Sequence, residues 1–284
     1  EIEASTRVSA LIGSDEEFSV FWGAKDKIAI TDLTKSSEFT IKRGAGSVNG
    51  TFAGSFAPSA ETLYAVYPSS AVSLSSGKVV AKIPAEQNYS SARGTDVKDK
   101  VVLVGSANGS TDFILSPAAA VVLFDITLPA EREIWSVTVE SEKVGIAGKG
   151  SIELGSGVIR DLDTKSLVLN YQTRVKGKNA TGWASIAAVD LKSAGGKVTF
   201  AVLTDEGVFT FCHTPEKFEA GQVQKVELSV EKFTEVSNLE KIQSGEYYYN
   251  MGSSIPQPDP DPEPEVDDKL NVRTVRTTDS SCRS

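Results

Sequence analysis

The sequence predicts an all-β protein: two tandem antiparallel β-sandwich domains followed by a disordered acidic tail rich in proline. Three observations carry that prediction. Helical periodicity is almost absent, whereas period-two alternation recurs, as in Trp135, Val137 and Val139 against Ile134, Ser136 and Thr138, and again in Val198, Phe200 and Val202. Gly, Asn and Ser punctuate the apolar runs at short intervals, the density expected of hairpins and sandwiches. With 284 residues, 40% of them hydrophobic, the chain can bury a sizeable core and is long enough for about two domains.

Taken in order, Asn49-Gly50 and Asn108-Gly109 are turn signals that end extended runs. Pro117 to Leu128 reads as a long buried strand and Trp135 to Glu140 as another, which places a domain boundary near Glu140. Lys197 to Cys212 reads as a hairpin, because Thr204, Asp205, Glu206 and Gly207 supply turn chemistry between two β-branched and aromatic runs. Phe218, Gly221, Gln222 and a strand from Lys225 to Val230 close the second domain. The expected division is therefore 1–140, 141–252 and a tail over 253–284. In that tail Pro256, Pro258, Pro260, Pro262 and Pro264 alternate with Gln257, Asp259, Asp261, Glu263 and Glu265. Such a segment repels itself, cannot form a helix, and reads as an extended spacer. Lys269 to Ser284 reads as the stump of a further domain, an added end or a single strand.

Charge excludes some partners. The 38 acidic residues exceed the 29 basic ones, for a formal net charge of −9, which repels phosphate backbones, so no nucleic-acid partner is expected. No apolar run approaches the roughly 20 residues needed to cross a bilayer as a helix, and the best, Ala118 to Phe124, has strand length. Glu1 to Arg7 is polar and lacks the regions of a signal peptide, so the chain is expected to be cytosolic or already trimmed.

The chemistry-bearing residues are few. His213 is the single histidine, so any Ser-His-Asp triad or His-rich metal site must pass through it. Its neighbour Cys212 points to the opposite face of an extended strand, so the two do not form a nucleophile-base pair. Cys212 lies in an apolar alternating run and Cys282 in the polar tail, a count and spacing that make neither a disulfide framework nor a zinc site. Glu131 with Glu133 and Asp161 with Asp163 are paired carboxylates that read as solvated loops. Asp161 and Asp163 have the spacing of a calcium loop's start, yet lack its glycine and bidentate Glu. Gly44, Gly46 and Gly50 mimic a dinucleotide loop in spacing alone, without a helix after them. Asn49, Asn88, Asn108 and Asn179 stand in glycosylation sequons, as frequent as chance in a chain this rich in Ser and Thr. Trp22, Tyr64 and Tyr67 read as core. Tyr247, Tyr248 and Tyr249 cannot all face inward on a strand and mark the preferred contact surface.

In one order of motifs the chain resembles the fimbrillin-like proteins, subunits of the type V pili on the outer surface of Gram-negative gut and oral anaerobes. An early strand carries Trp22, Gly23, Asp26, Ile28 and Ile30. A second ends in Leu63, Tyr64, Ala65, Val66, Tyr67 and Pro68, and a third in Pro84, Ala85, Glu86 and Gln87. The resemblance spans roughly Arg7 to Val230. It implies a surface-exposed subunit acting in cell adhesion or pilus assembly, not an enzyme, with no cofactor and no metal. It further implies export as a lipoprotein to the outer membrane, the lipidated Cys preceding the mature chain. The family's major subunits lose an N-terminal strand by cleavage after a basic residue, and the groove so opened accepts a strand of the next subunit. Arg7 occupies a position compatible with that cut, with Ile2 to Ala10 or Leu270 to Val275 as the exchanged strand. Partners would be other pilus subunits, or host or bacterial surface ligands, glycans among them. The alternative is that these are accessory β-sandwich modules of a secreted carbohydrate-active or glycan-binding protein.

Overall fold

The computed structural model describes residues 9–12, 18–71, 73–75, 78–89, 100–153, 156–205, 207–212, 215–229 and 234–236. The fold is all-β; among the described residues its one α-helix is the single turn Leu191–Ala194, capped at its start by the Asp190 carboxylate and at its end by Gly195 in the left-handed region.

Six strands form the first large sheet, in the order Ser116–Pro117, Leu103–Asn108, Thr62–Tyr67, Lys27–Thr31, Ser36–Arg43, Thr51–Ala53, every pair antiparallel. Alternate residues of Thr62–Tyr67 serve two cores. Ala65 and Tyr67 join Trp22, Ile28, Ile30, Ile41 and Leu103 on one face. On the other, Val66 packs with Val79, Ile83, Val104 and Ile159. That second core is shared with a four-stranded antiparallel sheet ordered Val158–Arg160, Gly148–Glu153, Lys78–Ile83, Ser73–Ser75. The boundary expected near Glu140 falls inside a strand, and Gly148–Ser151 pairs with Val80–Ile83, joining residues from either side of it.

Two very long strands organise the remainder. Ala120–Ser141 and Ser166–Ile186 run antiparallel from Ala120 opposite Ile186 to Glu140 opposite Ser166, with breaks in register between Thr127 and Arg132 and between Ile134 and Ser136. Where two separate strands are expected over Pro117 to Leu128 and Trp135 to Glu140, the backbone is one strand interrupted by bulges, and the polar run Pro129 to Arg132 sits at the break.

This two-stranded ribbon doubles back on itself. The Tyr171 hydroxyl donates to the Thr181 carbonyl at 3.1 Å, although ten residues of straight strand would separate them by roughly 33 Å. Likewise the ring centroids of Phe124 and Phe200 are 6.2 Å apart, while Phe200 pairs with Val139, fifteen positions further along Phe124's own strand. Each long strand therefore contributes its halves to two facing layers. Residues 120–127 and 179–186, with Val223–Ser229, form one layer. Residues 134–141 and 166–171, with Val198–Thr204, Gly207–Cys212, Thr234–Val236 and Glu86–Tyr89, form the other. Val122, Phe124 and Ile126 meet Val137, Val139, Leu169 and Val202 between them, all fully buried.

The hairpin expected over Lys197 to Cys212 is present, with Thr204 opposite Gly207. The strand expected from Lys225 is Val223–Ser229, and it runs parallel to its neighbour, as Glu86–Tyr89 does to residues 168–171. A short hairpin, Ser9–Ile12 with Phe18–Phe21, forms a two-stranded sheet of its own.

Candidate functional site

The first motif folds into a tight knot around an aspartate. Asp26 is buried; its Oδ2 accepts the Gly23 N–H at 2.6 Å and its Oδ1 accepts the Tyr67 hydroxyl at 3.3 Å, while its carbonyl accepts the Ile41 N–H. Trp22 lies edge-on to Tyr67 and Phe52, at 5.3 and 5.0 Å between centroids, and its indole N–H donates to the Val48 carbonyl. Trp22 and Tyr67 are core residues, as expected; Tyr64 is half-buried.

The second motif is a clamp. The side chain of Gln87, only 2% exposed, donates from Nε2 to the carbonyls of Pro84 and Ser185, and its Oε1 accepts the Ser185 N–H. One carboxamide thus supplies both bonds that a neighbouring strand would make at Ser185. Meanwhile the backbone of Gln87 pairs with Leu169 in the opposite layer. Gln87 therefore ties together the two halves of the folded ribbon.

Beside it lies a feature invisible in the linear pattern. Lys100 is 3% exposed and its ammonium sits 4.7 Å from the Trp183 ring and 5.9 Å from that of Tyr89, which in turn packs edge-on against Tyr171. Burial pushes the Tyr171 phenol well above its ordinary range. Trp183 also packs against the Trp22 core, so this cluster joins the two large sheets.

Asp32 organises a loop. Its carboxylate accepts N–H groups of Ser59, Thr34 and Lys35 and the Thr34 hydroxyl. Those donors, the Ser59 amide foremost, hold the carboxyl far below the usual aspartate range. They also keep Leu33 at φ 74°, which a branched apolar residue rarely adopts.

Of the paired carboxylates, Asp163 accepts the Lys149 N–H and the Thr164 hydroxyl, and the Lys149 contact lowers its carboxyl from the ordinary value. Asp161 sits in the left-handed region at φ 55°. Glu131 and Glu133 lie on the long strand near its bulges, where Glu133 N–H donates to Asp205. Among the described residues no group of three or more His, Cys, Asp or Glu could hold a metal ion, and no helix is long and apolar enough to cross a membrane. Gly44, Gly46 and Gly50 belong to the loop joining Ser36–Arg43 to its antiparallel partner Thr51–Ala53, so no helix opens there. Arg7, His213, Cys282 and Tyr247, Tyr248 and Tyr249 lie outside the described residues.

One strand edge has no partner among the described residues. Val223–Ser229 pairs with residues 121–127 on one side, and no described strand pairs with its other side. Val226 and Leu228 point into the core, while Lys225 bridges Asp125 at 2.8 Å and Glu227 at 3.5 Å on the surface. At its start, Glu216, Lys217, Glu219, Gln222, Val223 and Gln224 line a shallow depression of about 380 Å³.

No protein-family model matches the chain, and no curated protein matches it. Solved structures do. One, from Bacteroides ovatus ATCC 8483, is 14% identical with a TM-score of 0.48, covering 81% of this chain and 92% of its own. A second, from Bacteroides uniformis ATCC 8492, is 17% identical with a TM-score of 0.45, covering 77% and 92%. A third, from Bacteroides fragilis NCTC 9343, is 9% identical with a TM-score of 0.37, covering 84% and 91%. Each of the three bears the name putative cell adhesion protein.

Proposed function

We propose that this chain is a non-catalytic cell-surface protein that acts in adhesion or pilus assembly through β-strand addition. The observation that supports the reading is the open Val223–Ser229 edge, seven residues whose outer side has no strand partner among the described residues. Strand addition draws affinity from main-chain hydrogen bonds and specificity from alternate side chains seated in a groove. A ten-residue donor seating about four apolar side chains gains roughly 6–12 kcal/mol before entropy costs, enough for a durable link.

In this reading the cut after Arg7 matures the subunit. The hairpin Ser9–Ile12 with Phe18–Phe21 lies just downstream of the cut, and its Ser9 and Ala10 form the end of the first candidate exchanged segment. The exchanged segment is drawn from Ile2 to Ala10 or from Leu270 to Val275, and Tyr247, Tyr248 and Tyr249 supply an aromatic contact with the partner. Maturation and assembly take place at the outer membrane.

The test is cleavage after Arg7, then incubation at high concentration. Cleaved protein is expected to form ladders that resist mild detergent while uncut protein stays monomeric. If both stay monomeric, the stalk-subunit reading fails and a terminal adhesin or accessory module takes its place.

A further inference from the structure

The loop from Gly44 to Gly50 is shaped around Trp22. The Trp22 N–H donates to the Ser47 carbonyl at 3.0 Å, the Gly46 N–H donates to the Trp22 carbonyl at 2.7 Å, and the indole N–H donates to Val48 at 3.0 Å. Gly50 is pressed against the same ring: a Cβ there would stand 2.9 Å from Trp22 Cδ1 and 2.9 Å from the Phe52 ring. Packing thus demands glycine at position 50, and the residue before it is an exposed asparagine, Asn49. An asparagine next to a glycine on its C-terminal side is chemically labile, because no side chain shields its carboxamide from the next backbone nitrogen.

Asn108-Gly109 has the same dipeptide in a different setting. Asn108 is paired with Thr62 at the end of its strand, and the Gly109 N–H donates to the Glu61 carbonyl at 3.2 Å. The attacking nitrogen is engaged and the backbone is fixed. Asn49, by contrast, lies outside any strand, and among the described residues the Gly50 N–H has no hydrogen-bond partner.

We propose that Asn49 is a site of spontaneous succinimide formation and isoaspartate conversion, and that the fold protects Asn108. The Gly50 nitrogen gives its proton to hydroxide and bonds to Cγ of Asn49. The bond from Cγ to the side-chain nitrogen breaks, and that nitrogen takes a proton from water and leaves as ammonia. Water then adds to one of the two carbonyls of the five-membered imide, and the ring opens to aspartate or isoaspartate; nothing is oxidised or reduced. The isoaspartate product inserts one extra main-chain carbon between Val48, which holds the indole N–H, and Gly50, which packs on the indole ring. It also adds a negative charge to the exposed loop. Ageing of one surface residue is thereby transmitted to Trp22 in the core.

The experiment incubates the full chain at mildly alkaline pH and tracks both peptides by mass spectrometry, with enzymatic methyl labelling of isoaspartate. In the folded protein the Asn49 peptide converts about five- to thirty-fold faster than the Asn108 peptide, the factor set by freeing a hydrogen-bonded, strand-fixed amide. In urea the two rates converge, since both sites are then the same dipeptide. Asn49→Gln removes the fast phase and the slow drift of tryptophan emission that accompanies it. Equal rates in the folded protein, a faster Asn108, or a fast phase that survives Asn49→Gln would each overturn the proposal.

Discussion

Replacing Gln87 by leucine tests whether a single carboxamide holds the folded ribbon together. The side chain keeps nearly the same volume, so the change removes three hydrogen bonds without opening a large cavity. Ser185 is 2% exposed and its N–H and carbonyl both point to Gln87, so both are stranded away from water. At about 1–3 kcal/mol for each of the two stranded buried groups, the expected loss is roughly 2–6 kcal/mol, or a fall of about 4–24 °C in melting temperature. Urea unfolding monitored by tryptophan emission measures it, with the m-value checked for constancy. Gln87→Glu supplies the second arm. Its new carboxyl faces the carbonyls of Pro84 and Ser185 with one oxygen and the Ser185 N–H with the other; burial and the two acceptors outweigh the single donor and favour the protonated form, raising its folded pKa. An acid whose pKa is raised on folding contributes stability that is present at low pH and lost as pH rises through the folded value. The Glu variant is therefore expected to recover, relative to wild type, between neutral pH and about pH 4, where the unfolded group also begins to protonate. A Leu variant within about 0.5 kcal/mol of wild type, or a Glu variant indifferent to acid, would refute the reasoning.

Asp32→Asn should flatten the acid limb of the stability profile: the depressed carboxyl contributes stability that is full above its ordinary value of 3.8 and erodes as pH falls from there toward the lower folded value. Unfolding free energy measured from pH 5 down to pH 2 should depend on pH less steeply in the variant. Lys100→Met keeps the buried stem and removes the charge over Trp183, so it should cost about 0.5–2 kcal/mol and shift Trp183 emission, whereas Lys100→Arg should retain the interaction. Denaturant titration of the two variants side by side decides the point.

Much of the architecture was legible because alternation is a local property. The hairpin around Thr204 to Gly207, the strand after Gln222 and the inward-facing Val137 and Val139 result from period two and turn chemistry alone. Direction of pairing was not legible: Val223–Ser229 alternates in the same way whether its neighbour runs parallel or antiparallel. The long strand reads as two because Pro129 to Arg132 breaks the pattern, and a bulge and a loop leave the same gap in periodicity. Trp22, Tyr67 and Gln87 could be named from motif order, yet their roles depend on partners far away, Gln87 on Ser185 ninety-eight positions on. Lys100 gave no signal at all. A lysine beside an apolar run reads as a surface charge until Trp183 and Tyr89 are brought over it.

The doubled ribbon also decides how the body would answer a mechanical load. Ordinary sandwiches can part like the covers of a book, because only side-chain packing and a few loops connect one sheet to the other. Here two adjacent strands, bulged at the bend, pass from one cover to the other, so the spine is made of covalent chain and of the ladder between residues 120–141 and 166–186. A pull that separates the layers must straighten both strands at their common bend, so the layers cannot part without deforming continuous backbone. The Tyr171 hydroxyl clasps the ribbon beside its bend, and the Gln87 carboxamide ties the two layers further out. The two layers are thereby joined through backbone as well as through side-chain packing.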